Sequence, residues 1–367
     1  MDMRVDKLAN VLVNYSTAVK KGDRVVIMGN TVARPLIAAV YAQVLQAGGH
    51  PWVQAQLGLS ELFFRHASEE QLSHLDAPLK LLLETYDVGI SIWGSTNTRA
   101  LSGVDPAKLQ LANQAQAELF QTMLKRIADR SYRWVGTQFP TDAGAQDAEM
   151  GLLDYEDFVY GACLPDMDDP VAYWRRFSAW QAQIVDWFKG KDRVRVVGPG
   201  TDLRLSVAGR PFENCDGREN MPDGEICTSP VENSAEGHVH FSYPAVYQGR
   251  EVTGVRLWFE EGKVVKATAD KNEEFLLSAL DTDEGARFLG EFAIGTNKGI
   301  TRFTRSTLFD EKIDGSFHVA LGAGLPEVGG VNESAIHWDL VSDLREGGEI
   351  WVDDELLYND GGFVVAF

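Results

Sequence analysis

The stretch SAIHWDLVSDLR, residues 334–345, carries a histidine and a carboxylate two positions apart, His337 and Asp339. Their neighbours are mostly apolar, which predicts a β-strand in which side chains two apart share a face. An imidazole and a carboxylate would then leave an apolar strand on the same side, and burying that pair costs free energy unless something compensates it. The two side chains therefore satisfy each other or a polar neighbour, or they hold a metal ion.

Four further residues that could bind a metal stand at strand ends and turns of the same half of the chain. Glu225 follows a Pro-Asp-Gly turn, Glu291 precedes Phe-Ala-Ile, Glu311 follows LFD, and His318 opens HVALGAG. Carboxylates and imidazoles together suit Zn, Co or Mn. The set exceeds what one ion needs, so it predicts two ions that share a bridging carboxylate. Ions paired roughly 3.5–4 Å apart polarise a carbonyl and supply a hydroxide in many hydrolases.

Taken singly, each of these residues has an ordinary alternative. His318 could be a satisfied core histidine, Glu311 a solvated turn residue, and Glu225 a loop acid paired with an arginine. His238 and His240, in GHVHF, form a rival ligand pair at strand spacing. The motifs HExxH, GxxxxGK[ST] and GxGxxG do not occur in the sequence. The residues alone therefore indicate a candidate dinuclear site in a globular protein and no more.

The elements that must position these residues follow two kinds of secondary-structure pattern, one in each half of the chain. Up to residue 190, strand-like segments alternate with helix-like ones, which predicts a mostly parallel sheet covered by helices. Its predicted strands are 24–29, 50–58, 88–94 and 132–140, and its predicted helices are 32–48, 106–128 and 170–190. After Lys191 the chain becomes a series of short alternating strands with glycine-bearing turns, over 193–198, 201–209, 238–249, 255–269, 318–322 and 349–365. We predict an N-terminal α/β domain over 1–190 and a C-terminal α+β, metal-binding catalytic domain over 191–367.

Charge and cysteine content restrict the partners and the compartment. The 367 residues include 34 basic and 54 acidic side chains, a net charge of −20. Nucleic acids and anionic membranes require basic patches, so neither is an expected partner. Cys163, Cys215 and Cys227 are odd in number and match no CxxC pattern, which favours a reduced, cytoplasmic location. The N-terminus lacks the apolar core of a signal peptide, and no stretch approaches the roughly 18 apolar residues of a membrane helix.

Several longer motifs resemble the thermophilic metalloaminopeptidase family, the group that includes aminopeptidase T and aminopeptidase S. The resemblance covers essentially the whole chain, loosely over the first 130 residues. Its motifs are TQFPTDAGAQDAEM (137–150), YEDFVYGACLPDMDDP (155–170), GPGTDL (198–203), NMPDGEICTSPVENSAEG (220–237), EGARFLGEFAIGTN (284–297), TLFDEKIDGSFHVALGAG (307–324) and SAIHWDLVSDLR (334–345).

The resemblance implies a function and a set of ligands. The family's metal ligands fall on Glu225, Glu291, His318, His337 and Asp339, and Glu311 is added to this set. It implies two divalent ions per chain, of Zn, Co or Mn, a homodimer, and stepwise release of N-terminal residues from short peptides. Glu225 or Glu291 would help to move the proton during hydrolysis. His337 and Asp339 then share a face because both reach into one metal site.

One position departs from the family pattern. A tyrosine usually follows LGAG, seven residues beyond the ligand histidine, and here that position is Leu325. Leucine cannot donate a hydrogen bond, and loss of one such donor costs roughly two to three orders of magnitude in rate. The alternative to a dinuclear aminopeptidase is therefore a weakened or inactive homologue that binds metal or peptide. Tyr358 is a substitute donor to consider, whereas His238 and His240 fall on no family ligand position and are expected to be structural.

Overall fold

The computed structural model describes residues 2–247 and 249–367, without the side chain of Phe120. Its helices are α1 (Met3–Val11), α2 (Arg34–Gln46), α3 (Ser60–His66), α4 (Glu69–Leu72), α5 (Ala77–Thr85), α6 (Pro106–Ala128), α7 (Asp142–Asp147), α8 (Leu152–Cys163), α9 (Pro170–Trp187), α10 (Glu273–Leu280) and α11 (Thr307–Asp310). Among the described residues, no helix combines the length and the apolar character that crossing a membrane requires.

The strands follow the same chain order. They are β1 (Arg24–Asn30), β2 (His50–Gln56), β3 (Val88–Trp93), β4 (Arg133–Gln138), β5 (Arg193–Gly198), β6 (Thr201–Ser206), β7 (Glu213–Cys215), β8 (Asn220–Met221), β9 (Glu225–Thr228), β10 (Glu236–His240), β11 (Ala245–Tyr247), β12 (Arg250–Val252), β13 (Arg256–Glu260), β14 (Lys263–Thr268), β15 (Leu289–Gly295), β16 (Ser316–Gly322), β17 (His337–Asp343), β18 (Glu349–Val352), β19 (Glu355–Asn359) and β20 (Gly362–Phe363).

The chain forms two compact units, and the first contains a parallel sheet. This unit comprises Met1–Trp174 and Gly217–Pro222, so a segment beyond the predicted boundary at residue 191 belongs to it. The sheet order is β2-β1-β3-β4-β8, and all of its pairs are parallel. Consecutive residues such as Val25, Val26 and Ile27 are fully buried, because both faces of the sheet are covered. The predicted α/β character of the N-terminal half is confirmed.

The second unit, Arg175–Asp216 and Asp223–Phe367, is built on antiparallel sheets. One sheet has the order β14-β13-β10-β6-β5-β18-β19-β20, and another has the order β17-β16-β15-β9-β7. The short hairpin β11–β12 forms a separate two-stranded sheet. A single hydrophobic core includes Val196 and Leu203 of the first sheet together with Phe292 and Val319 of the second. Helices and antiparallel sheets in one unit confirm the predicted α+β character of the C-terminal half.

One face of the five-stranded sheet β17-β16-β15-β9-β7 packs into this core. The opposite face carries other types of side chain. Side chains that enter the core alternate along its strands, as Phe317, Val319 and Leu321 do in β16. The residues between them turn to the opposite face, where several are small. Ala293 and Ala320 are examples, and their small side chains leave room for larger polar neighbours on the same face.

Candidate metal centre

Strand register places five of the six predicted ligands on this second face. The strands β9, β15, β16 and β17 are consecutive neighbours in the sheet. Residues directly opposite each other in an antiparallel pair project to the same side. Glu225 lies opposite Gly295, and His318 lies opposite Ala293, two residues before Gly295 in β15. Glu225 and His318 therefore project from one face.

The other two strands add their ligands to the same face. Ala320 lies opposite Glu291 on one side and opposite Asp339 on the other. Since Ala320 is two residues from His318, both acids share the face of that histidine. His337, two residues before Asp339, completes the set. The alternating pattern of residues 334–345 predicted that the side chains of His337 and Asp339 share one face of a strand. In the structure both residues lie in β17 and share a face.

A β-bulge at Gly290 separates the ligand face from the core at the start of β15. The register shifts between Leu289 and Glu291, so that Leu289 lies opposite Leu321 in the core although Glu291 faces the ligands. A Cβ added to Gly290 would lie 2.0 Å from the carbonyl oxygen of Ala323, closer than two such atoms can approach. Glycine is needed here because the backbone of a bulge passes very close to the neighbouring chain.

The ligand atoms fall into three groups, and within each group they lie within 4.8 Å of one another. The groups are Glu225, Glu291 and His318; Glu291, His337 and Asp339; and Glu311, His318 and Asp339. The first two share Glu291. Its Oε1 lies 3.6 Å from His318 Nε2, and its Oε2 lies 3.1 Å from His337 Nε2. The two oxygens of one carboxylate thus face two different histidines.

The ring of His337 is oriented by the backbone. Its Nδ1 lies 2.9 Å from the carbonyl oxygen of Ala323 and donates to it in the tautomer with the proton on Nδ1. In the protein without metal Nε2 also carries a proton and donates to Glu291 Oε2 at 3.1 Å, and Asp339 Oδ1 lies 3.6 Å away. Histidines that bind metals are commonly oriented by such a hydrogen bond on the other ring nitrogen.

Three buried polar atoms of this face have no hydrogen-bond partner among the described residues. They are Glu225 Oε2, His318 Nδ1 and Asp339 Oδ1. A buried polar atom without a partner costs free energy, and an unexplained cluster of them indicates a missing ion or ligand. Carboxylate and imidazole donors suit a divalent cation of the Zn, Co or Mn type. The residues present therefore fit the predicted metal ions.

The pKa values of these residues in the protein without metal also favour a cation at this face. Burial lowers the pKa of His318 and His337, but the carboxylate of Glu291 outweighs it and raises each pKa to about 10. Burial raises the pKa of Glu291, yet hydrogen bonds from the two histidines hold this pKa well below its usual range. Burial raises the pKa of Asp339 to about 6. Positive charge is favoured at this face, and a cation that binds the imidazoles would displace their protons.

Lys312 belongs to this site, and sequence reasoning missed it. Its side chain is fully buried, with Nζ 3.5 Å from Glu225 Oε1 and hydrogen-bonded to Glu311 Oε1. Burial lowers the pKa of Lys312, but the nearby carboxylates raise it well above its usual range and keep the ammonium charged. In the sequence, DEKIDG reads as an exposed turn, and only its tertiary position distinguishes this lysine.

Glu311 differs from the other candidate ligands in lying beside open space. It follows α11 and keeps its side chain 16% exposed, whereas that of Glu291 is 8% exposed. A small cleft of about 20 Å³ opens beside it, lined by Pro244, Ala245, Val246, Phe303, Arg305, Thr307, Asp310, Glu311, Asp339 and Val341. Glu311 and Asp339 are thus the two acids that belong to a ligand group and also line this cleft.

The remaining candidate residues lie elsewhere in the second unit. His238 is exposed in β10, and His240 is half-buried two residues on; neither joins a ligand group among the described residues. Tyr358 is fully buried in β19 with its ring against Phe363, 5.0 Å between centroids. None of its described contacts reaches a candidate ligand, which removes support for Tyr358 as a substitute donor.

Leu325 is connected to the bulge beside Glu291. Its backbone N–H donates to Ser229 Oγ at 2.8 Å, and the Ser229 hydroxyl donates to the carbonyl of Gly290 at 2.6 Å. Two hydrogen bonds therefore connect position 325 to the residue before Glu291. The side chain at this position is half-buried.

Comparison with known proteins places the whole chain in one family. Residues 1–363 match the family described as thermophilic metalloprotease (M29). Aminopeptidase 2 of Geobacillus stearothermophilus is 28% identical over 382 residues, covering 93% of this chain and 92% of that protein. Aminopeptidase T of Thermus thermophilus is 30% identical over 307 residues, covering 74% of this chain and 73% of that protein.

The fold agrees with this relationship. The solved structure of wild-type AmpT from Thermus thermophilus superposes with a TM-score of 0.85 and 25% sequence identity, over 99% of each chain. The resemblance predicted from the sequence motifs is confirmed. The chain belongs to the thermophilic metalloprotease family M29, the metallo-aminopeptidase family that its motifs indicated.

Proposed function

We propose that this chain is a dinuclear-metal aminopeptidase that removes N-terminal residues from short peptides, with Zn, Co or Mn as its ions. The observation that carries the proposal is the position of Glu291 in two ligand groups, with one oxygen toward His318 and the other toward His337. A carboxylate shared in this way is what a pair of ions requires, whereas a single ion would leave one histidine unused.

The ligand side chains would form two binding positions, one for each ion. Glu225 and His318 would hold one ion, His337 and Asp339 would hold the other, and Glu291 would be shared between them. Such ions polarise a carbonyl and lower the pKa of water toward neutrality. The buried carboxylates of this face would also attract the cationic amino terminus of a peptide. The net charge of −20 adds only a weak attraction that salt screens.

Three glutamates are candidates for moving the proton. Glu225 and Glu291, the two predicted from the sequence, both lie in groups that would bind ions. Glu311 lies in a group with His318 and Asp339 as well, but of the three glutamates only Glu311 lines the cleft, and one of its oxygens accepts a hydrogen bond from the Lys312 ammonium. A proton carrier must reach the reacting atoms. We therefore assign this role to Glu311 and the role of ligand to Glu225 and Glu291.

Peptidase assays test the proposal directly. Amino-acid p-nitroanilides and leucyl peptides are incubated with the protein after loading with Co, Zn or Mn, and release of the N-terminal residue is followed. We expect turnover with a free amino terminus and none with the same substrate acetylated at its amine. Equal turnover of the blocked substrate would indicate a hydrolase of other amides, and metal or peptide binding without product would favour the binding homologue.

The cellular location and the assembly are proposed on the family resemblance and on the cysteine pattern alone. We propose a homodimer in a reducing, cytoplasmic compartment. Sedimentation equilibrium of the metal-loaded protein separates one chain of 40.6 kDa from a pair. A single-chain mass at micromolar concentration would contradict the dimer.

The alternative of weakened catalysis rests on Leu325, and Leu325→Tyr tests it. If leucine replaces a donor near the reacting centre, the added phenol should raise kcat more than it changes KM, because it acts on charge that develops in the transition state. We expect a gain of about tenfold or more, equal to about 1.4 kcal/mol. Steady-state kinetics and thermal unfolding are measured on the same variant.

The opposing outcome is overpacking. If Leu325 is a packing residue, tyrosine costs about 1–3 kcal/mol of stability and brings no catalytic gain. Leu325→Met, which changes little volume and adds no donor, is the matched control. An unchanged kcat in a stable Leu325→Tyr protein with full metal content would contradict the missing-donor account.

A further inference from the structure

Two of the cysteines lie side by side at the edge of the ligand-bearing sheet. Cys215 stands in β7 and Cys227 in the neighbouring β9, with their sulfur atoms 3.6 Å apart. Cys215 is half-buried and Cys227 is buried. Neither belongs to the groups that contain Glu291, although Cys215 also lies in a group with Asp223 and Glu225.

The separation of the sulfurs matches the spacing of two ligands on one ion. Zinc–sulfur bonds are about 2.3 Å long, so two thiolates on a tetrahedral ion lie about 3.8 Å apart. In the strand register Glu213 lies opposite Cys227 and Glu225 lies opposite Cys215, so the two cysteines occupy diagonal positions. Diagonal neighbours have Cβ atoms separated by up to about 7–8 Å, farther apart than a disulfide allows. A shared ion suits this pair better than a disulfide.

A third donor completes the arrangement. Glu213 supplies a carboxylate oxygen that, with the two sulfurs, forms a set of ligand atoms within 4.8 Å of one another. Two thiolates and one carboxylate make a site for a soft or borderline divalent ion, chemically unlike the oxygen and nitrogen donors around Glu291.

We propose that Cys215, Cys227 and Glu213 form an additional binding site for a thiophilic divalent ion such as Zn²⁺ or Cd²⁺. On binding, each thiol releases its proton to solvent and its sulfur forms a bond to the ion, with no change in oxidation state. The ion would tie β7 to β9. β7 is the three-residue edge strand of the sheet, already hydrogen-bonded to Ser178 and Gln181 of α9, and the ion would add a side-chain link to β9.

Cadmium titration of the metal-loaded protein tests the site. Bonds between thiolate and cadmium absorb in the ultraviolet by charge transfer, whereas bonds from cadmium to the oxygen and nitrogen ligands around Glu291 give no such band. We expect the wild-type protein to develop this band and to saturate with one added Cd²⁺ per chain. The readout therefore does not depend on catalysis or on the proposed function.

Variants assign the band to these residues. Cys215→Ala and Cys227→Ala should each lose the band or keep only the share of one thiolate, and the double variant should lose it. Cys163→Ala removes the third, fully buried cysteine in α8 and should leave the band unchanged. Glu213→Gln should keep the band but need more cadmium to reach it. Absence of the band in the wild-type protein, or its persistence in the double variant, would overturn the proposal.

Discussion

Replacing Glu291 with glutamine is expected to remove most of the bound metal and to lower kcat by more than about 10³-fold. The amide keeps the size of the side chain but replaces one carboxylate oxygen with a donor, so it cannot offer oxygens to both histidine-containing groups. Loss of a single donor at a reacting centre already costs about 10²–10³-fold, and Glu291 supports two ion positions at once. Metal analysis and steady-state kinetics are measured on protein purified without chelator. We expect about two ions per wild-type chain and fewer than one in the variant.

Two companion variants interpret that result. Glu274→Gln makes the same change at an exposed glutamate of α10 and should leave both metal content and kcat unchanged. Glu311→Gln should keep both ions while kcat falls by about 10²–10⁴-fold, the range for loss of a general base. If Glu291→Gln retained full metal content and full activity, the shared-ligand assignment would be wrong. If Glu311→Gln lost its metal as Glu291→Gln does, Glu311 would be a ligand and not the proton carrier.

The second large effect concerns stability, and Lys312→Met should reveal it. Methionine approximates the length of lysine but removes the charge, which leaves Glu225 and Glu311 without their cation inside the protein. Removing one partner of a buried ion pair costs about 3–5 kcal/mol. We expect Tm of the metal-free protein to fall by roughly 10 °C. The metal-loaded protein should lose less, because bound ions supply positive charge beside the same carboxylates.

The measurement is thermal unfolding of metal-free and metal-loaded protein in parallel. Lys298→Met is the matched control, since it makes the same substitution at an exposed lysine of the same segment and should change Tm little in either form. A variant that lost equal stability with and without metal would show that Lys312 acts on packing alone. A variant that lost none would contradict the buried ion pairs.

Local sequence patterns predicted a strand or helix correctly where the segment follows a single hydrophobic period. The apolar run at 24–29 became β1, and the amphipathic stretch 106–128 became α6 with the same bounds, because a proline at its first residue and an aspartate before it define the start. Where a backbone-breaking residue interrupts a pattern, the prediction was less accurate. The strand predicted over 238–249 is split into β10 and β11, with Pro244 between them.

The sequence by itself determined the two structural classes, the ligand chemistry and the shared face of His337 and Asp339, because each depends on residue type and on spacing within one segment. Only the tertiary structure decided which segments meet. Strand register places Glu291 in two ligand groups and Cys215 beside Cys227. It pairs β8 with β4 in the sheet of the first unit. It also buried Lys312 against Glu225, which lies far from it along the chain. Contacts of this kind depend on the order and register of strands that are distant in sequence, and no local period encodes them.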